Sequence, residues 1–429
     1  MNLRSPAFVL LFLVSLIAAA GNMALQSVLP AIGREFRLSD TLVSGAFAVS
    51  ALLWTLTSGL WARQSDRLGR KRVVMIGLGG FVVSMLGFGL SATAGLEGWL
   101  TVAAAFLLMA FSRSLYGLFG SAAPIAAQAY IADRTDRSQR TQAMSLLASA
   151  QGLGTVVGPA LAPFFVLPIV GLAGPMYAFA LIALVVLIAV WRGLPSGGVE
   201  RIPTNREDTG KGLWKDPRVR DFAIFGLLVS SAQAINIGVL GFHVIDVMAV
   251  SGMTAREAQP FIGVAMLAGA ATTLMAQWGL IPLLRLQPRD LMRWGAALAL
   301  LGNLLTIAAP GFFGVAVGYA VISIGAGFAR PGFTAGSSLA VRAEEQGAIA
   351  GLMMALAGLG FLAPPVIGVA LYQLAEPAPF IANAVVLLLA LGFALWSGPL
   401  QRATSAHPAE HEGTLESPPA SQPGPEGGR

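Results

Sequence analysis

Long apolar runs separated by short charged segments fill almost the whole chain. Charge-poor stretches cover residues 5–33, 41–62, 73–96, 98–132, 141–191, 222–245, 258–284, 294–329, 346–375 and 377–401. A helix needs about 20 apolar residues to cross the hydrocarbon core of a membrane. The stretch 141–191 has room for two helices, with a turn at "PIVGLAGP" between them, and 98–132 is interrupted only by Arg113. The pattern predicts twelve transmembrane helices.

A polar segment divides these helices into two sets of six. We predict an all-α integral membrane protein with an N-terminal six-helix bundle over residues 1–194 and a C-terminal bundle over 221–400. A cytoplasmic linker, rich in Gly and Pro, would cover 195–220. Residues 401–429 lack apolar periodicity, so we expect a disordered cytoplasmic tail there.

Composition supports this interpretation and excludes several classes of function. The 429 residues are 55% hydrophobic and only 11% charged, with a mean hydropathy of +0.72, which excludes a soluble domain. The absence of cysteine and the presence of only three histidines exclude disulfides and make a metal site unexpected. No Walker loop and no buried carboxylate pair occurs, so we expect neither an enzyme nor a cofactor.

The distribution of bases predicts the orientation in the membrane. Of the 27 Lys and Arg residues, 22 lie in the tails and in the loops on the same side as the tails. Arg34, Arg37 and Arg256 lie in the opposite loops, while Arg113 and Arg330 lie within helices. Basic loops stay in the cytoplasm, so both termini should be cytoplasmic in a multi-pass protein of the inner membrane. The net charge of +6 therefore reflects topology and not nucleic-acid binding. We expect a monomer.

The two halves contain weakly similar segments. "QGLGTVVGP" from Gln151 matches "AGLGFLAPP" from Ala357 at an offset of 206 residues. "DRLGRKRVVMIG" matches "LRLQPRDLMRWG" at an offset of 218 residues, which pairs Gly77 with Gly295. Internal repeats of this kind occur in many transporters. These alignments favour two pseudo-symmetric bundles.

Three motifs carry a resemblance to a known family. The loop between the second and third helices reads "SDRLGRKR", with Asp66, Arg67, Gly69, Arg70 and Lys71 at the motif positions and Ala62 in place of a leading glycine. The fourth helix contains "RSLYG", with Arg113, Tyr116 and Gly117. The fifth helix contains Gly154, Gly158 and Pro159 in a Gly-x-x-x-Gly-Pro pattern. The chain resembles the major facilitator superfamily, and within it the drug/proton antiporters.

The resemblance implies a function and a mechanism. It implies secondary active export of a small molecule, driven by proton antiport and worked by a rocker-switch motion of the two halves. It further implies that Asp66 lies near the start of the eleventh helix, around residues 346–348, as part of a cytoplasmic gate. The alternative for the cluster is a set of topology anchors, and for the fifth-helix motif it is ordinary small-residue packing. Uptake by proton symport is the rival function, and a non-transporting membrane sensor is a third.

Polar residues within the helices predict a central cavity, because each is costly in lipid unless it faces water or a partner. The candidates for the substrate cavity are Asn22, Gln26, Arg113, Tyr116, Gln233, Asn236 and Arg330. For a single amide, a packing hydrogen bond is the alternative. Because two of these residues are arginines and no acid lies deep in a helix, an anionic or zwitterionic substrate, such as a carboxylate-rich siderophore or another organic acid, would fit better than a cation.

Proton coupling requires a titratable group. His243 and Asp246 near the end of the seventh helix are the candidates, since an unperturbed histidine titrates near pH 6.5. The alternatives are that both residues are interfacial, or that Arg113 modulates another group.

Overall fold

The computed structural model describes residues 5–135, 137–196, 213–308, 311–342 and 345–404. Within these ranges the chain folds into helices and contains no strand. Most of the predicted linker and tail, namely residues 197–212 and 405–429, lies outside the described residues.

The helices form twelve consecutive spans. The first six are α1 (Pro6–Glu35), α2 (Asp40–Leu68), α3 (Arg70–Leu96), α4 (Val102–Phe119 and Ala122–Arg134), α5 (Arg137–Leu161) and α6 (Gly174–Gly193). The last six are α7 (Pro217–Ala249), α8 (Ala255–Leu274, then a π-helical turn Met275–Leu280 and Ile281–Leu284), α9 (Pro288–Ala308), α10 (Gly311–Leu339), α11 (Gln346–Gly360 and Pro364–Leu374) and α12 (Ala378–Trp396). Within the described residues, 11 helices are long and apolar enough to cross a membrane, and the twelfth span is the broken α11. The predicted all-α, twelve-helix fold is confirmed.

Local sequence explains where several spans begin. Ser39 and Thr101 precede α2 and α4, and their side-chain oxygens accept hydrogen bonds from the backbone N–H groups of Leu42 and Ala104. Such caps satisfy backbone donors that have no partner inside the helix. The break in α11 precedes Pro364, which lacks a backbone N–H. Several spans therefore begin where the chain supplies a cap or a proline.

The outside of the protein is apolar, as a bilayer requires. Large aliphatic side chains point away from the protein on helices of both halves, including Leu60, Leu181 and Leu389, which are 54%, 62% and 62% exposed. In water such a surface would be an aggregation hazard, whereas in lipid it is the ordinary exterior of a spanning helix. The chain is a multi-pass membrane protein.

Because consecutive spans alternate in direction, the molecule has two faces, which we name by their position. The terminal face holds the start of α1, the end of α6, the start of α7 and the end of α12. The distal face holds the end of α1, the start of α2 and the end of α7. We call α1–α6 the N-terminal half and α7–α12 the C-terminal half.

The two halves repeat one close helix contact. At Gly77 on α3, an added Cβ would lie 2.3 Å from the backbone nitrogen of Ala123 on α4. At Gly295 on α9, it would lie 2.6 Å from the backbone nitrogen of Ala329 on α10. Gly77 and Gly295 are one of the pairs that the sequence alignment predicts, and Ala123 and Ala329 are separated by its other offset. Equivalent glycines therefore allow α3 to approach α4 in the N-terminal half and α9 to approach α10 in the C-terminal half.

Candidate functional site

A cavity of about 470 Å³ lies between the two halves. It is lined by residues of α1, α2, α4, α7, α10 and α11, and six of the seven predicted cavity residues contribute to it. These six are Asn22, Gln26, Arg113, Tyr116, Gln233 and Arg330. Apolar and aromatic side chains, among them Phe47, Trp54, Phe242 and Phe361, supply much of the remaining wall. A few polar groups within an apolar wall are typical of a small-molecule site.

Asn236 is the exception, and the cavity prediction is wrong for this residue. Its side chain is buried and its Oδ1 accepts a hydrogen bond of 2.9 Å from Asn383 Nδ2 on α12. The cavity face of α7 instead carries residues such as Ser230, Gln233 and Ile237, which recur at helical spacing. Asn236 lies on the adjacent face of α7, where its hydrogen bond with Asn383 joins α7 to α12.

Arg113 on α4 is the charge at the centre of the cavity wall. Its Nη2 donates a hydrogen bond of 2.6 Å to Asn22 Oδ1, and its guanidinium carbon lies 4.2 Å from the ring centre of Phe47 and 4.5 Å from that of Tyr116. Cation–π contacts at these distances are favourable, most of all where water is excluded. The side chain is almost fully buried, and its Nε and Nη1 atoms have no hydrogen-bond partner among the described residues. A buried guanidinium with open donors is prepared for a further acceptor.

Arg330 on α10 is the second cavity arginine, and its side chain is exposed. The repeat offset of 206 places it opposite position 124 of α4, 11 residues beyond Arg113. At 1.5 Å per residue this is a difference in height of about 16 Å between the two Cα atoms. Because α4 and α10 both run from the distal to the terminal face, Arg330 lies nearer the terminal face. The arginines thus approach the cavity at two levels.

The cavity wall contains no acidic residue among those the structure describes. Neither arginine therefore has a carboxylate partner in the wall, although a lone arginine in a membrane helix costs about 2.5 to 3.5 kcal/mol. Amide oxygens and aromatic rings offset only part of that cost. The described wall of the cavity consequently carries a net positive charge.

A cluster of charged and polar side chains joins the halves at the distal face. Arg34 of α1 lies 2.7 Å from Asp40 of α2 and 3.0 Å from Asp246 of α7. Asp246 also accepts a hydrogen bond of 2.9 Å from the hydroxyl of Tyr372 on α11. Thr41 is additionally hydrogen-bonded to Gln373 of α11. We call Arg34, Asp40, Asp246 and Tyr372 the distal cluster.

His243, the predicted partner of Asp246, takes part in this cluster indirectly. It is buried, and its Nδ1 lies 3.3 Å from the Tyr372 hydroxyl, while Phe380 packs on its ring with centroids 5.0 Å apart. His243 and Asp246 are one turn apart on α7, and the hydroxyl of Tyr372 lies between their side chains. Both side chains therefore take part in an inter-helical network near the distal end of α7.

The predicted gate motif lies at the terminal face, where it connects helices of the N-terminal half. Gly69 separates α2 from α3 with a φ of +91°, a conformation that favours glycine. Arg70 lies 2.7 Å from Asp66 and 2.8 Å from Asp133 at the end of α4. Lys71 donates a hydrogen bond of 2.7 Å to the carbonyl of Trp191 on α6, and Arg67 is exposed. The side chain of Gln346, in the predicted partner segment of Asp66, lies outside the described residues, so that contact stays a prediction.

The glycines of the fourth- and fifth-helix motifs lie at close helix crossings. A Cβ at Gly117 would lie 2.5 Å from the carbonyl oxygen of Ser50 on α2, and one at Gly158 only 2.1 Å from that of Ala20 on α1. Gly154 approaches the carbonyl oxygen of Leu16 on α1 as closely. On another side of α5, the carbonyl of Pro159 contacts Gly263 of α8. The fifth-helix motif therefore packs α5 both against α1 and against α8 of the C-terminal half.

Sequence reasoning missed Arg34, Asp40 and Tyr372 as functional candidates. The apolar pattern places Arg34 in the loop after the first span, yet Arg34 and Asp40 are only six residues apart and of opposite charge. That pairing was a usable signal. Tyr372 carried none, because it reaches Asp246 across 126 residues of chain.

Comparisons with known proteins agree with this architecture. The sequence profile described as "Major Facilitator Superfamily" matches residues 11–284. The chain is 27% identical to "Multidrug resistance protein 1" of Bacillus subtilis (strain 168) over 404 residues, which cover 89% of this chain and 94% of that protein. It is 23% identical to "Multidrug resistance protein 2" of the same organism over 407 residues, which cover 92% and 96%.

A solved structure has the same fold. The structure of a bacterial homologue of the human lysosomal transporter Spinster, described as inward-facing and unoccupied, superposes with a TM-score of 0.68 at 15% identity. The superposition covers 95% of this chain and 99% of that one. With a profile match over more than half of its length and twelve apolar spans around a central cavity, the chain belongs to the Major Facilitator Superfamily and is a membrane transporter related to multidrug efflux proteins.

Proposed function

We propose that this protein is a secondary active exporter that moves a small organic molecule out of the cytoplasm in exchange for protons. The observation that carries the proposal is the cavity between the halves, with the distal cluster holding the halves together at one face of that cavity. A site that lies between two bodies can be presented to either side when the bodies rock. The conformation described here would be the one that admits substrate from the terminal face.

The assignment of the terminal face to the cytoplasm rests on charge. The great majority of the basic residues lie at this face, and basic loops are retained in the cytoplasm of bacterial membranes. The inner membrane is the corresponding location. Both termini would then be cytoplasmic, and the distal cluster would face the outside.

Export, as opposed to uptake, is supported by two observations. The curated relatives that cover nearly the whole chain are described as multidrug resistance proteins. The fifth-helix motif that this chain shares with exporters lies where α5 packs on both α1 and α8, so it can influence how the halves move. Uptake by symport shares the fold but predicts the opposite direction of flux.

The distal cluster is our candidate for proton coupling. Asp246 accepts hydrogen bonds from Arg34 and from Tyr372, and Tyr372 in turn contacts His243. Protonation of Asp246 removes the charge that Arg34 binds across the interface, which weakens the connection between the halves. A proton from outside would thereby open the distal face, and its release toward the cytoplasm would complete the exchange.

The direction of transport can be tested before the substrate is known. Metabolites inside and outside cells that lack the gene, express it, or express Asp246→Asn would be compared by mass spectrometry, with and without iron and a protonophore. We expect at least one compound to remain inside the deletion strain and to leave the complemented strain only when the proton gradient is intact. Accumulation inside the complemented strain would contradict export and favour uptake.

Arg63→Gln is the matched control for this test. Arg63 lies on α2 outside the cavity, and its Nε donates to the carbonyl of Gly59 in its own helix. This variant should export as the unmodified protein does, so a general defect of expression can be separated from a defect of coupling.

A further inference from the structure

We infer that the central cavity selects organic anions with an aromatic body, an inference that rests on the proposed transport function and names its substrate class. Three features of the cavity carry it: a buried arginine with open donors, a second arginine at another level, and a wall without carboxylates. Arg113 belongs to the fourth-helix motif, whereas its unpaired donors, the second arginine and the wall without carboxylates depend on the particular side chains of this chain.

The open donors of Arg113 define the anchor point. One of its three nitrogens donates to Asn22, whereas Nε and Nη1 have no acceptor among the described residues although they are buried. A guanidinium is planar, has five N–H donors and can bind two oxygens of one carboxylate, sulfonate or phosphate group at once. A substrate anion would supply acceptors where the protein supplies none.

The charge of the wall determines the sign of the ligand. Arg113 and Arg330 both line the cavity, and none of its described lining residues is acidic. A cationic ligand would add a third positive charge to the cavity, where no described lining carboxylate compensates it. An anion reduces the repulsion between these charges, so its binding is favoured by both arginines.

The aromatic wall favours a flat apolar body. Phe47 and Tyr116 lie against Arg113, and Trp54 lies 5.3 Å from Tyr116, measured between ring centres. Aromatic rings adjacent to a bound anion's anchor offer offset or edge contacts to a second ring system. The cavity of about 470 Å³ is large enough for such a molecule and belongs to the usual range for ligand sites.

The two arginines lie at different heights in the cavity, and we assign them different roles in binding. Arg113 is buried and would hold the anionic group, while Arg330 lies nearer the terminal face and is exposed. An exposed charge at the approach to a site attracts a ligand of opposite sign and raises its local concentration. Replacing Arg330 should therefore weaken anion binding less than replacing Arg113 does.

Binding to the purified full-length protein in nanodiscs of neutral phosphatidylcholine tests this inference. Three probes of one shape would be compared by calorimetry: 2-naphthoate, the neutral 2-naphthamide and the cation 2-naphthylmethylammonium. We expect the naphthoate to bind at least about tenfold more tightly than the amide, because about tenfold is the gain from one hydrogen bond to a charged group. The cation should bind most weakly. Equal binding of the three probes, preference for the cation, or no binding of naphthoate at millimolar concentration would overturn the inference.

Variants assign the preference to the two arginines. Arg330→Gln should lower the naphthoate-to-amide ratio about threefold, and Arg330→Lys should largely restore it, because the charge alone acts at a distance. Arg113→Lys should lower the ratio by about tenfold, since an ammonium does not reproduce the planar donors. Arg63→Gln, which removes the same charge outside the cavity, should leave the ratio unchanged. A ratio that persists in the Arg113→Lys/Arg330→Gln double variant, or that falls equally in Arg63→Gln, would overturn the assignment.

This measurement separates the two proposals. Binding in nanodiscs requires neither a gradient nor transport, so anion-selective binding without proton-driven export would contradict only the proposed function. Proton-driven export of neutral or cationic compounds, with no anion preference in the binding assay, would contradict only the substrate class.

Discussion

The two faces of the molecule use ion pairs for different purposes. At the distal face, Arg34 of α1 pairs with Asp40 of α2 within the N-terminal half and with Asp246 of α7, so the second pair joins the two halves. At the terminal face, the pairs of Arg70 join helices of the N-terminal half. Those of Arg218 with Asp216 and Glu345 stay within the second half and the segment that precedes it.

The difference distinguishes a bond that must break during transport from one that need not. An ion pair within one half moves as part of a rigid body, whereas a pair between halves exists only while that face is closed. Burial does not follow this division, because Asp246 of the pair between the halves and Arg70 of the pairs within one half are 24% and 22% exposed. The two sets of pairs therefore differ in which helices they join and not in how deeply their side chains lie.

Arg34→Gln should have the largest effect, because it removes both distal ion pairs at once and leaves two carboxylates facing each other. We expect the distal face to open and coupled transport to be lost. Because the chain has no cysteine, a single Ser44→Cys substitution in the cavity wall can report access from outside with an impermeant maleimide. Its labelling rate should rise by about tenfold or more in the Arg34→Gln background.

The matched control is Arg63→Gln in the same Ser44→Cys background, which should label at the original slow rate. Unchanged labelling in Arg34→Gln would mean that apolar packing, and not the ion pairs, closes the distal face.

Asp246→Asn should have the second-largest effect. The amide can still accept from Tyr372, but it no longer offers a charge to Arg34, while the pair between Arg34 and Asp40 remains. Labelling at Ser44→Cys should rise by about threefold to tenfold and should lose its dependence on external pH. A variant that keeps the pH dependence of the unmodified protein would exclude Asp246 as the coupling group and direct attention to His243 or Asp40.

Asp66→Asn should have a smaller effect, confined to the terminal face. Asp66 is paired with Arg70 within one half, and its predicted role concerns the opposite conformation, so the state described here should be little changed. We expect turnover to slow by about threefold to tenfold while binding of substrate stays within about twofold, since a dipole contact is worth about 0.3 to 1 kcal/mol when exposed. Turnover equal to that of the unmodified protein would leave the motif as a topology anchor.

Glu345→Gln should have the smallest effect. Hydrogen bonds from Arg218 hold the pKa of Asp216 below its usual value of 3.8 and that of Glu345 below 4.5. A carboxyl with a lowered pKa adds stability above its unfolded pKa, and this contribution is lost only as the pH falls through the folded value. Both groups therefore stay charged between about pH 8 and about pH 6.

The contact between Arg218 and Glu345 can be monitored by spin labels attached to the double variant Trp214→Cys/Val341→Cys. Their distance should not change over this pH range, nor should Glu345→Gln change labelling at Ser44→Cys. A pH-dependent distance would show that the terminal pairs also respond to protons, and it would remove the contrast between the faces.

Much of the fold could be predicted because it depends on features that are local in sequence. The length of each apolar run determines how many spans form. The close contact at Gly77 is also a local feature, because a side chain at this position would keep α4 away from α3. The cavity residues were accessible for a similar reason, since Gln233 and Arg330 are polar where lipid would exclude them.

The distal cluster could not be predicted in the same way. It assembles residues from α1, α2, α7 and α11, and the pattern of one helix does not specify the rotation of its neighbours. Asn236 illustrates the limit, because a shift of three residues from Gln233 moves an amide from the cavity to the contact with Asn383. Polarity within a span indicates that a partner exists, but it does not indicate which one.

The crossing of α1 and α7 just inside the distal cluster has an electrical consequence. A Cβ at Gly241 would lie 2.4 Å from Pro30 Cγ, so the two helices leave no room for water there. In the proposed conformation, water in the cavity carries the cytoplasmic potential as far as this crossing, and the membrane voltage falls across the short segment beyond it. Transfer of one charge across the full voltage is worth about 2.3 kcal/mol per 100 mV. In the proposed mechanism, a proton that moves only a few ångströms at Asp246 would therefore sense most of the membrane potential, and turnover would depend on the membrane voltage.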